Sequence, residues 1–134
     1  MITNKRVAVL MCCLPMAAAL AAPRESFGID DQNNAYYLET DNLTRKGYVV
    51  YAWQQVIRVR PDEKNARLIR EKIEFDCNFK KYRTMWTMSY AEPDDRDTQL
   101  SSEVVSNPEW RPANAGSLHE KMLRFACVRV FQPR

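Results

Sequence analysis

The sequence predicts an α+β domain: an antiparallel β-sheet with one C-terminal α-helix packed on a face, the two pinned by a single disulfide. Three observations lead there. Residues 70–77 alternate, with Glu71, Ile73, Phe75 and Cys77 on one side and Arg70, Lys72, Glu74 and Asp76 on the other. This is the period of a strand with one face on a core and one in water. Ser117-Leu118-His119-Glu120 has the form of a capping box, in which the Ser117 hydroxyl accepts from the N3 amide and Glu120 reaches back to the Ser117 amide. Leu118, Met122 and Phe125 follow at helical spacing, so one stripe can face the sheet. Finally, Cys77 closes the clearest strand and Cys127 the helix.

At the N-terminus, Lys5 and Arg6 precede an apolar run from Val7 to Ala19, and Ala19-Leu20-Ala21 offers small residues where a signal peptidase reads. Residues 1–21 are therefore expected to be a secretory signal peptide. The run is shorter than the ~20 apolar residues that cross a bilayer, and no second run follows, so the mature chain is expected to have no transmembrane span. Cys12 and Cys13 lie inside this run, and Met11 is not the small residue that a lipidated cysteine needs before it. Lys5 and Arg6 leave with the signal, which lowers the formal charge from +3 to +1. Cys77 and Cys127 then remain in an oxidising compartment, which favours a disulfide between them. The competing reading is a thiol nucleophile, with His119 as its imidazole partner.

Residues 22–34 are polar and unpatterned and read as a flexible leader, with the domain running from 35 to 134. Residues 35–39, carrying Tyr36, Tyr37 and Leu38, read as a strand, and 41–44 and 46–47 as turns. Residues 48–59 are rich in β-branched and aromatic side chains, and Pro61 ends that strand. Glu71 interrupts the apolar side of the next strand, which places its start at a sheet edge. Residues 82–90 put Tyr82, Thr84, Trp86, Met88 and Tyr90 on one face of a strand that the short link 78–81 makes a hairpin neighbour. Residues 100–106 read as a further strand, 108–112 as an extended linker, and 128–131, after the helix, as a short final strand.

The chemistry available is narrow. With 134 residues, 46% hydrophobic and 28% charged, the chain suits one globular domain and not a disordered one. Three glycines leave no glycine-rich phosphate loop, and one histidine excludes multi-histidine metal sites. The acidic run Glu92, Asp94, Asp95, Asp97 lacks the glycine of an EF-hand loop and reads as a solvated loop. His119, near the start of a surface helix, reads as solvent-exposed. No GxSxG, CxxC or paired catalytic carboxylates occur, and neither an enzyme nor a cofactor is expected. The remaining signal is the basic run Lys80, Lys81, Arg83 interleaved with Phe79, Tyr82 and Trp86. In a cytoplasmic chain this pattern would point to single-stranded nucleic acid. Export and a charge of +1 argue against that. The readings left are a solvated sheet face or a surface for an anionic glycan or an acidic protein patch. With a regular pleat, Lys81 and Arg83 share a face and Lys80 lies opposite.

The order of a Tyr36-Tyr37 strand, an aromatic strand at Tyr48 to Trp53, Glu74-Phe75-Asp76-Cys77, Lys80-Lys81-Tyr82-Arg83, then Trp110, Pro112, Gly116-Ser117 and a helix ending in Ala126-Cys127 resembles the surface-adhesin protein E family of Gram-negative envelope proteins. The resemblance implies an antiparallel sheet with a C-terminal helix held by one disulfide. It also implies a periplasmic or outer-surface location and binding of host extracellular matrix protein. Lys81, Arg83, Tyr82 and Trp86 are the candidate ligand contacts. The alternative function is a periplasmic structural or assembly factor with no external ligand.

Overall fold

The computed structural model describes residues 23–132; the signal-peptide reading of residues 1–21 lies outside them. Eight strands form one antiparallel sheet: β1 (Arg24–Ile29), β2 (Ala35–Glu39), β3 (Thr44–Lys46), β4 (Val49–Ile57), β5 (Leu68–Asp76), β6 (Lys81–Tyr90), β7 (Gln99–Val104) and β8 (Arg111–Pro112). The spine is β1-β2-β4-β5-β6-β7, with β3 on β4 and β8 on β6. One helix, α1 (Leu118–Phe131), follows.

The alternation read in residues 70–77 places the core. Ile73 and Phe75 pair with Ala52 and Val50 of β4. With Leu38 they form a sheet face that Met122, Leu123 and Ala126 of α1 cover. Cys77 and Cys127 pack against this cluster and are joined in a disulfide, with Cα atoms 5.8 Å apart. Ser117 caps α1 by accepting from the Glu120 amide at 3.1 Å. The box is half formed, because the Ser117 amide donates to the Asn114 carbonyl and the Glu120 carboxylate pairs with Arg124 one turn on.

Four expectations about the secondary-structure elements are corrected. The leader is not flexible throughout: Arg24–Ile29 is an edge strand on β2, with a register shift between Ser26 and Gly28. Phe27 is the extra residue and packs edge-on against Phe125, 5.4 Å between centroids, while the following Gly28 comes opposite Tyr36. Gly28, at φ 119°, takes a backbone conformation that side chains resist. The start of β5 is not at a sheet edge, since β4 and β6 flank its whole length. Glu71 is tolerated there because Gln54 Nε2 donates to it at 2.6 Å. Residues 128–131 continue the helix, because Val130 joins the core stripe and Phe131 stacks on Tyr48. The fourth correction concerns β6 and changes the site.

Candidate ligand-binding face

The register of β6 against β5 slips between Lys72 and Ile73, where Met85 is the extra residue. A bulge of this kind moves every following side chain to the other face. Tyr82 and Thr84 therefore stay with Phe75 and Ile73 on the helix side. Trp86 and Met88 pair with Lys72 and Arg70 and turn to the side without a helix. The expectation that Tyr82, Thr84, Trp86, Met88 and Tyr90 share one face fails at this residue. The consequence is that Trp86 joins Lys81 and Arg83 on the open face, while Tyr82 remains on the helix side.

Tyr82 stacks flat on His119, 4.0 Å between centroids and 3° between planes, and Tyr36 meets the same imidazole edge-on. His119 is thus packed between sheet and helix, contrary to the solvent-exposed reading. Burial, with the Arg111 guanidinium adding to it, pushes its pKa down to about 4. The ring is neutral at pH 7. Glu71 is held above the ordinary carboxyl range, chiefly by burial, against the opposing pull of Gln54 and Arg111.

The open face is a lattice of rings and guanidinium groups. Arg24 lies over Tyr37 at 4.2 Å, Arg70 over Trp53 at 3.9 Å and Arg83 over Trp110 at 4.3 Å. Such contacts hold a cation against a ring face while leaving both partly in water. Trp53 and Trp86 meet at 6.0 Å, and the Trp86 indole N–H donates to Ser102 at 2.8 Å. At the end of β2, on the same face, sits Glu39, 0% exposed. Arg70 donates to both its oxygens at 2.7 and 2.8 Å, Gln55 to one at 2.8 Å and Asn42 to the other at 3.1 Å. Burial alone would raise the Glu39 pKa; these donors and the Arg70 charge outweigh it and hold the carboxyl below its ordinary range.

Of the cations singled out in the sequence, Lys81 is exposed and takes part in none of the ion pairs among the described residues. Arg83 is tied to Glu74 at 2.6 Å. Lys80 lies in the β5–β6 turn at φ 53°, outside the strand, where Asp76 accepts from the Asn78 and Phe79 amides. Trp53, Arg70, Lys72 and Trp110 are not among the candidate ligand contacts of the sequence, although Arg70 and Lys72 lie near the basic run and all four border the same surface. The usable signal lay in residues 49–57, where Tyr51, Trp53 and Gln55 alternate with the core residues Val50 and Ala52 and with Gln54.

A sheet sealed on one face by a disulfide-tied helix, and carrying rings and cations on the other, defines a small α+β domain with one open, water-facing face. A family model described as Surface-adhesin protein E matches residues 25–128, and the chain belongs to that family. Among solved structures it is similar to protein E of Haemophilus influenzae. Crystal form II of that protein is 16% identical with a TM-score of 0.57, over 84% of this chain and 98% of that one. The selenomethionine form is 17% identical with a TM-score of 0.57, over 83% and 95%. At these identities the likeness speaks for the fold. No curated protein matches the sequence. Among the described residues, no helix is long and apolar enough to cross a membrane.

Proposed function

We propose that the chain is an exported, non-enzymatic binding protein of the bacterial envelope. Its open sheet face engages an anionic ligand, either an acidic glycan or an acidic patch on a host extracellular matrix protein. The observation that carries this reading is the Met85 bulge. It brings Trp86 onto the same face as Lys81 and Arg83, so that cations and a ring lie side by side in a member of an adhesin family. Lys81, whose ammonium lies 5.9 Å from the Phe79 ring centroid, supplies a charge with no ion-pair partner among the described residues. Arg83, held by Glu74 and Trp110, presents its remaining donors in a fixed position. Tyr82 faces the helix, and its part is to anchor the strand through His119 rather than to touch ligand.

Retention on immobilised heparin and on matrix protein, at low and high salt, tests the reading. The wild type should bind and weaken with salt, because surface charges are screened over a Debye length of about 8 Å at physiological ionic strength. Lys81→Glu with Arg83→Glu should abolish retention. Absent binding in the wild type, or unchanged binding in the double variant, returns this strand to a solvated sheet face. Digestion by protease added to intact cells checks the surface location; complete protection would favour a periplasmic role.

A further inference from the structure

The sheet is interrupted on the open side. β5 pairs with β4 along one edge from Val49 to Ile57. The other edge is shared by two short strands: β3 covers Val49 to Tyr51, and β2 covers Gln54 to Ile57. Ala52 and Trp53 have no strand partner on that edge. A cavity of about 310 Å³ lies in this break, lined by Asn42, Thr44, Tyr51, Ala52, Trp53 and Lys72. Its volume is near the lower end of ligand pockets, which run from roughly 300 to 1,000 Å³.

We propose that this break is a subsite for one acidic sugar residue of a glycan, with Lys72 pairing its carboxylate and Tyr51 and Trp53 walling its ring. This rests on the reading of the open face as a binding face and names the ligand class it takes. Two unpaired backbone positions span about 7 Å, too short for a peptide to add as a strand. The lining is a mixture suited to a polyol: two aromatic rings, an amide and a hydroxyl. Asn42 is fixed by its donation to Glu39, which leaves its carbonyl oxygen to accept from a sugar hydroxyl. Lys72 takes part in none of the ion pairs among the described residues, and its ammonium lies 6.0 Å from the Tyr51 ring centroid. One ammonium suits a single carboxylate; a phosphate is more often met by a guanidinium fork or several backbone amides. The guanidinium fork of Arg70 is committed to Glu39. Lys72 pairs with Trp86 across β5 and β6, so a longer chain leaving the break runs on toward Arg83 and Lys81.

The probes are a hyaluronan tetrasaccharide, which carries carboxylates and no sulfate, and chitotetraose, which shares its N-acetylglucosamine but has no charge. Binding to the disulfide-bonded protein is measured by calorimetry. The hyaluronan tetrasaccharide should bind saturably, and chitotetraose more weakly by at least about tenfold, the usual scale of a charge-assisted contact. Lys72→Gln should remove that preference without moving the thermal midpoint. Equal affinity for the two sugars, no saturable binding of the acidic one, or an unchanged preference in Lys72→Gln would overturn the subsite. Heparin retention depends on Lys81 and Arg83, so its failure is read separately from failure of the tetrasaccharide.

Discussion

Under α1, Leu38, Val50, Ala52, Ile73 and Phe75 are closed off by Met122, Leu123 and Ala126. Across the same sheet Glu39 is just as buried, yet it is ionised and held by Arg70, Gln55 and Asn42. One face is held by removing apolar area from water, about 25 cal/mol per Å². The other is held by satisfying a charge that would be costly to strand. The first arrangement tolerates conservative change and carries a covalent tie. The second is brittle but leaves its rings and cations facing outward, where a ligand can reach them. The two faces should therefore fail in different ways.

The largest effect is expected on the helix side. Replacing both Cys77 and Cys127 by Ala releases a loop with 50 residues of sequence separation and should cost about 4 kcal/mol in urea unfolding, as chain entropy implies. A loss well under half of that would mean that apolar packing alone holds α1. On the open side, Glu39→Ala leaves Arg70 without its partner and should cost about 3 kcal/mol. Replacing Glu39 and Arg70 together by Met should cost less than Glu39→Ala alone, because only the half-exposed Arg96, 3.8 Å from Glu39, then loses a partner. A larger loss in the double variant would contradict this account of the face.

Acid separates the faces as well. The folded pKa of His119 lies at about 4, below the ordinary imidazole value of 6.5. Between those values the unfolded chain binds a proton that the folded chain refuses, so stability falls as pH is lowered through that window. Allowing for partial solvent contact, the loss is on the order of 2 kcal/mol. His119→Phe keeps a ring against Tyr82 and should flatten the slope between pH 6.5 and 4. The depressed Glu39 carboxyl acts lower: its contribution is present above the ordinary carboxylate range and is lost as pH falls through its own folded value. A wild-type slope that persists in His119→Phe would assign the window to other groups.

Elements with a local signal could be read from sequence: the 35–39 strand, the alternating β5, its hairpin with β6, the Ser117 cap and the cysteine pair. Those set by distant partners could not. β1 has only two large apolar side chains; Phe27 sits at the bulge and Ile29 is exposed, so nothing in the sequence marks a half-buried strand. The β-branched Val128 and Val130 look strand-like alone, and they are helical because Cys127 and the core stripe fix the helix at that point. In the site, Lys81, Arg83 and Trp86 are close in sequence and were legible together. Their grouping on one face depends on Met85, a bulge no residue type announces. Glu39 and Arg70 are 31 residues apart and meet only through the register of three strands.

The central claim is that ligand meets the open face and not the helix. Trp53, Trp86 and Trp110 are the three tryptophans of the chain, and each borders that face through Arg70, Lys72 or Arg83. Their indole N–H signals in a two-dimensional NMR spectrum therefore report on it directly, while the backbone amides of Leu118–Phe131 report on the other side. On titration with a heparin oligosaccharide, the indole signals should move in a saturable way and the α1 amides should stay in place. Shifts confined to the α1 amides, with all three indoles unmoved, would contradict the account.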